Sequence, residues 1–165
     1  MASKKQHTML SAGAIAPDFK LEDLSGAVRT RSAISDGHPV LLAFFKVSCP
    51  TCQFAFPFLE RLYRGRANRD IGMYAISQDD AKSTHEFHQE FGITMPTLLD
   101  TAESGYPASN AYGLSYVPSL FLVEPDGRIS LTLTGFEKKG MEELGLRLGK
   151  APFEAGEYVP EFKSG

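Results

Sequence analysis

"PVLLAFFKVSCPTCQFAFPFLERLYR", residues 39–64, is the stretch on which the fold turns. It opens on an almost unbroken apolar run, Pro39 to Val47, bounded by Gly37 on one side and Pro50 on the other. A strand covered on both faces reads this way, because neither set of alternating side chains meets water. The second half places Phe54, Phe58, Leu59 and Leu62 at helical spacing, so a helix follows the strand, and Pro57 is expected to kink it. Between strand and helix lie Cys49 and Cys52, the only two cysteines of the 165-residue chain.

A cysteine pair with two residues between has three readings. The first is half of a zinc site. Structural zinc takes four ligands, and only His85 and His88 offer to complete the set; their spacing is tighter than that of a zinc-finger pair, and they flank Phe87 on an amphipathic helix. The second is a pair of small buried apolar residues. That reading leaves unexplained why the pair stands where a buried strand meets a helix, with a proline inside it. The third is a dithiol that cycles with a disulfide. With Cys49 as N-cap, Pro50 takes the first helical position, where its missing N–H is not needed and its fixed φ suits the turn. The N–H groups of Thr51 and Cys52 then point back at the Cys49 sulfur and, with the helix dipole, favour negative charge there. A helix terminus contributes about 0.3–1 kcal/mol to such a charge, and ~2 kcal/mol in a buried setting. Lys46, three residues upstream, is either a further positive neighbour or a solvated strand-end lysine. On this reading Cys49 is the nucleophile, Cys52 the resolving thiol one turn inward, and the Thr51 hydroxyl a means of tuning the potential.

Outward from this segment, strands and helices alternate. "PDFKLEDLSG" (17–26) reads as a short strand and turn, "IGMYAIS" (71–77) as a second buried strand and "TLLD" (97–100) as a short one. "DDAKSTHEFHQEFG" (79–92) opens on aspartates, carries Phe87 and Phe91 four apart and stops at a glycine, so it is a helix. "SGYPASNAYGL" (104–114) is a weak helix interrupted by Pro107. "SLFLVEP" (119–125), the turn "PDGR" and "ISLTLTGF" (129–136) form a hairpin. "KKGMEELGLRLG" (138–149) is a terminal helix with Leu144, Leu146 and Leu148 turned mostly inward. These elements imply one α/β domain with a mixed central sheet. We expect a flexible N-terminal segment over residues 1–15, a domain over 16–149 and a loose C-terminal tail over 150–165.

Apolar content of 42% and charged content of 22% are those of a soluble globular protein. A net charge of −3 with no basic run argues against nucleic acid or an anionic membrane as partner. The start carries no apolar core of a signal peptide, and no stretch is long enough to span a bilayer. A cytoplasmic protein is therefore expected, where a lasting disulfide is disfavoured and a transient one is not.

Four segments in order give the chain a family resemblance. "APDFKLEDLSG", "LLAFFKVSCPTCQFAFPFLERL", "AYGLSYVPSLFLVEPDGRI" and "LTGF" together resemble the thioredoxin-fold redoxins. Within them the match is to the TlpA/ResA-like thiol–disulfide oxidoreductases, related to the AhpC/TSA peroxiredoxins. The resemblance implies a thioredoxin-like fold with a mixed central sheet flanked by helices, an N-terminal strand extension and a central βα insertion. It implies a cis peptide at Val117–Pro118 facing the cysteines, with the Val117 backbone free to pair with an extended substrate. The same likeness implies disulfide- or dithiol-containing protein substrates, or small thiols, and a separate redox-recycling partner; we further expect no cofactor and a monomer. Two positions depart from the pattern. Phe45 and Ser48 stand where relatives carry tryptophan, so the docking surface is expected to be altered. The strand "VLLAFF" lacks the buried acid that serves the second thiol in thioredoxins, leaving that proton to water or another residue.

Two rival functions stay open. A peroxiredoxin needs a Pro-x-x-x-Thr-x-x-Cys loop. Counting back from Cys52 gives Cys49 and Phe45 in its threonine and proline places, and counting back from Cys49 gives Lys46 and Leu42, so neither register fits. A Sco-like copper module uses a longer cysteine spacing than CPTC.

Overall fold

The structure is a computed structural model, and residues 8–165 are described. Its core is the strand of the opening stretch, β3 (Val40–Phe45), in which all six residues are buried. Parallel to it runs β4 (Gly72–Ser77), and antiparallel on the other side lies β6 (Ser119–Val123). Outward of β4, β5 (Thr97–Leu99) adds in parallel, followed antiparallel by β1 (Lys20–Asp23) and β2 (Val28–Thr30). Outward of β6, β7 (Ile129–Thr134) closes the hairpin read from the sequence. The seven-stranded sheet has the order β2-β1-β5-β4-β3-β6-β7, the mixed sheet flanked by helices that the sequence implies.

Strict alternation along β3 divides the core in two. Leu41, Ala43 and Phe45 face a cluster built with α2 (Pro50–Gly65), α3 (Ala81–Phe91) and α5 (Lys138–Leu148). Val40, Leu42 and Phe44 face a second cluster, which takes Ile34 from α1 (Arg31–Ser35), Ala108 from α4 (Pro107–Ala111), and Tyr112. Side chains of successive strand residues point to opposite faces, so one strand serves both clusters. Asp80 and Gly92 bracket α3 as the sequence suggests: the Asp80 carboxylate accepts from Ser83 N at 2.8 Å, and Gly92 ends the helix at φ 68°.

Three local expectations differ. Pro107 does not interrupt a helix but opens one, at the first position of α4, where proline is favoured. Leu146 is 84% exposed, whereas Leu144 and Leu148 are fully buried. At 100° per residue, positions four apart share a face and the one midway lies opposite. The C-terminal stretch, expected to be loose, instead wraps the domain. Phe153 packs edge-on to Phe58 with centroids 5.2 Å apart, and Arg61 grips Glu157 through two bonds of 2.6 and 2.9 Å. A two-stranded ribbon then forms between β8 (Phe136–Glu137) and β9 (Phe162–Lys163). An aromatic anchor and a bidentate ion pair hold it where composition suggested no hold.

Residues 1–7 of the expected N-terminal segment lie outside the described residues. Residues 8–15 run beside β7: Gly13 N donates to Ile129 O at 2.8 Å, Ile129 N to Ala14 O at 2.9 Å, and Ile15 bridges Arg128. No helix among the described residues is long and apolar enough to cross a membrane.

Candidate active site

The carboxyl end of β3 delivers the cysteine pair, and the start of β6 meets it because β3 and β6 are antiparallel neighbours. Cys49 is the N-cap of α2, with extended backbone at φ −80° and ψ 116°, and Pro50 occupies the first turn. The Cys49 sulfur accepts from Cys52 N–H at 3.2 Å and lies 3.4 Å from the carbonyl oxygen of Val117, to which its S–H donates. Both thiols are free. Val117–Pro118 is a cis peptide, so the loop and the dithiol implied by the resemblance face each other.

The two cysteines have unlike surroundings. Cys49 is half-buried, and Cys52 is fully buried. Burial pushes the Cys52 thiol well above its usual range. The hydrogen bond and charge of Cys49 and the negative charge of Asp79 push it the same way, while a backbone hydrogen bond from Lys46 pulls against them. Such a pair has one sulfur within reach of a partner and one held protonated until the surroundings change.

The remaining sequence candidates fall around this pair. Lys46 is exposed, and its carbonyl accepts from Cys49 N at 3.2 Å. The Thr51 hydroxyl donates to the Ser164 carbonyl at 2.6 Å. The Val117 backbone is not open: a Cβ on Gly165 would overlap its carbonyl group, so the chain's own backbone lies against it. Ser48 is exposed, but Phe45 is fully buried, 4.4 Å from Phe56 and 4.8 Å from Phe87 by ring centroids. Phe45 is therefore core between α2 and α3, and the altered docking surface expected there is confined to Ser48. The His88 ring meets the Thr97 hydroxyl at 2.9 Å, and the His85 ring meets the Gln89 amide at 3.4 Å.

Two features escape sequence reasoning. Asp79, just beyond β4, accepts from Val47 N at 2.8 Å and places a negative charge within reach of Cys52, although β3 itself carries no acid. The acidic pair after an apolar strand was its only trace, and it also read as a helix cap. The second is residues 161–165, which cross the site from the far end of the chain.

Comparison with known proteins agrees with this geometry. Residues 12–132 match the sequence model of the AhpC/TSA family. The chain is 30% identical over 135 residues to the thiol–disulfide oxidoreductase ResA of Bacillus subtilis, covering 80% of this chain and 72% of that protein. It is 29% identical over 131 residues to ResA of Geobacillus thermodenitrificans, covering 79% and 73%. Among solved structures, the thioredoxin domain of a thiol-disulfide oxidoreductase from Bacteroides vulgatus superposes with a TM-score of 0.73 at 20% identity, covering 84% of this chain and 97% of that one.

Proposed function

This chain belongs to the AhpC/TSA family and is a thiol–disulfide oxidoreductase, and from that premise we propose that Cys49 and Cys52 act on disulfides or dithiols of partner proteins, Cys49 attacking and Cys52 resolving. One observation carries the assignment: the accessible sulfur is the helix cap that receives an N–H, and the other is buried beneath it.

In the reducing direction, the Cys49 thiolate attacks one sulfur of the substrate disulfide. The substrate S–S bond breaks, and its departing thiolate takes a proton. A mixed disulfide now joins Cys49 to the substrate. Cys52, deprotonated in its turn, attacks the Cys49 sulfur and expels the second substrate thiolate, which is also protonated. Two electrons and two protons pass to the substrate, and the enzyme holds a Cys49–Cys52 disulfide until a dithiol partner reduces it. Run backward, the same steps oxidise a substrate dithiol. Burial holds the Cys52 thiol protonated, so resolution requires that it first lose that proton.

Turnover of an oxidised protein substrate with a dithiol donor tests the roles. Cys49→Ser abolishes exchange. Cys52→Ser accumulates the substrate mixed disulfide on Cys49, visible by mass. Accumulation on Cys52 in a Cys49→Ser variant would overturn the assignment. The reduction potential sets the direction: a value about −270 mV makes the protein a reductant, and one about −120 mV an oxidant.

A further inference from the structure

We propose that residues 161–165 occupy the groove into which an extended substrate segment binds, as an unreactive internal stand-in that a partner must displace. The inference rests on the exchange reading above for the word substrate, and on geometry for the occupancy.

The segment is laid down as a strand would be. Phe162 and Lys163 pair antiparallel with Glu137 and Phe136, and Lys138 N donates to Glu161 O at 3.0 Å. Adding an extended segment to an open strand edge is a common way of capturing a peptide. Beyond the ribbon the chain crosses the mouth of the dithiol. Ser164 O takes the Thr51 hydroxyl at 2.6 Å, between the two cysteines in sequence, and Gly165 lies so close to the Val117 carbonyl that no Cβ fits. Val117 O is the atom to which the Cys49 thiol donates. The segment thus touches the residue between the cysteines and the backbone opposite them.

Its composition suits a stand-in. Residues 161–165, "EFKSG", hold no cysteine, so nothing in them can enter exchange. Gly165, with no side chain, stands where the segment meets the Val117 carbonyl, and the small Ser164 precedes it. The hold is weak: all five residues are exposed, with two strand residues, one hydroxyl bond, Lys163 5.1 Å above the Phe54 ring and an ion pair of 3.7 Å from Lys138 to Glu161. Segments with few buried contacts open at low free energy, which displacement by a partner requires. The partner segment read from this groove is extended, with small residues flanking its cysteine.

Iodoacetamide alkylation of Cys49 at fixed pH tests occupancy without reference to exchange. We expect the deletion of residues 161–165 and the point variant Gly165→Leu each to raise the second-order rate by about five-fold, since a groove filled most of the time lowers apparent reactivity by its unfilled fraction. A synthetic peptide of residues 158–165 added to the deletion variant should restore the slow rate, and the KM for an oxidised protein substrate should fall in both variants. Rates equal to those of the full chain in both variants, with unchanged unfolding midpoints, would overturn the proposal, as would a peptide without effect. Faster alkylation with no exchange by either protein would uphold the occupancy and overturn the exchange reading instead.

Discussion

Cys49 and Cys52 differ by one helical turn and by everything that surrounds a thiol. The first borrows an N–H from α2 and reaches solvent; the second is sealed under Phe and Leu side chains and held protonated by burial, by Cys49 and by Asp79. Alkylation at graded pH, read by mass, should therefore modify Cys49 and leave Cys52 untouched in the folded protein. Equal modification of both would contradict the asymmetry. Asp79 makes a signed prediction: since its charge raises the Cys52 thiol, Asp79→Asn should shift Cys52 reactivity, followed in a Cys49→Ser background, to lower pH. A shift upward would show that some other group sets that thiol. The cysteines, Pro50 and Pro57 were legible because each has a local chemical or conformational meaning, whereas the facing Val117–Pro118 came from the family resemblance. Asp79 was not legible, because it acts from the loop just after β4, and what lies beside β3 is decided by pairing rather than by sequence distance.

At the scale of elements, α2 is fixed by one buried acid. Glu60 accepts from Thr94 N at 2.7 Å, Met95 N at 2.9 Å, the Thr94 hydroxyl at 2.7 Å and Arg64 Nε at 2.8 Å, tying the active-site helix to the loop that enters β5. Glu60→Ala would strand the buried Met95 N–H and should cost about 3 kcal/mol in denaturant unfolding, because hydrogen bonds to a charged group contribute about 1.5–3 kcal/mol and an orphaned donor adds to the loss. A cost below 0.5 kcal/mol, the usual range for surface substitutions, would show the network to be incidental. Asp100 does the like for α4, accepting from Ala108 N at 2.9 Å and from Ser109 N at 2.7 Å while fully buried. Sequence patterning misses such acids by construction, since it assigns carboxylates to solvent. It finds β3, β4, α2 and α3 because long apolar runs and four-residue spacing survive without tertiary context. It loses α1, β8 and β9, of five, two and two residues, which are too short to have a period.

Over the whole molecule, the C-terminal wrap is held by contacts distant in sequence, and one of them is sensitive to acid. Arg61 holds the Glu157 carboxyl down at about 2, aided by the Glu154 N–H. A depressed carboxyl stabilises above its unfolded value and stops doing so as protons bind. The contribution is complete above about 4.5 and fades as pH falls toward about 2. Protection of residues 152–158 in hydrogen exchange should drop across that window while β3 stays protected, and Arg61→Gln should remove the pH dependence. Protection that holds through pH 3 would place the anchor elsewhere, in the ring stack of Phe58, Phe136 and Phe153.

The strand order has a consequence for how the chain is made. β1 finds its inner neighbour only in β5, through Glu22 opposite Leu99, and Ile15 waits for Arg128. During synthesis, the first thirty or so residues therefore emerge without the surfaces they are to cover, while β3, α2 and β4 are already able to assemble. The amino-terminal layer cannot dock until β5 has been translated, although its own residues emerge earlier. A nascent chain arrested before residue 97 should hold its central strands beneath an undocked amino-terminal arm, open to a protease ahead of residue 30.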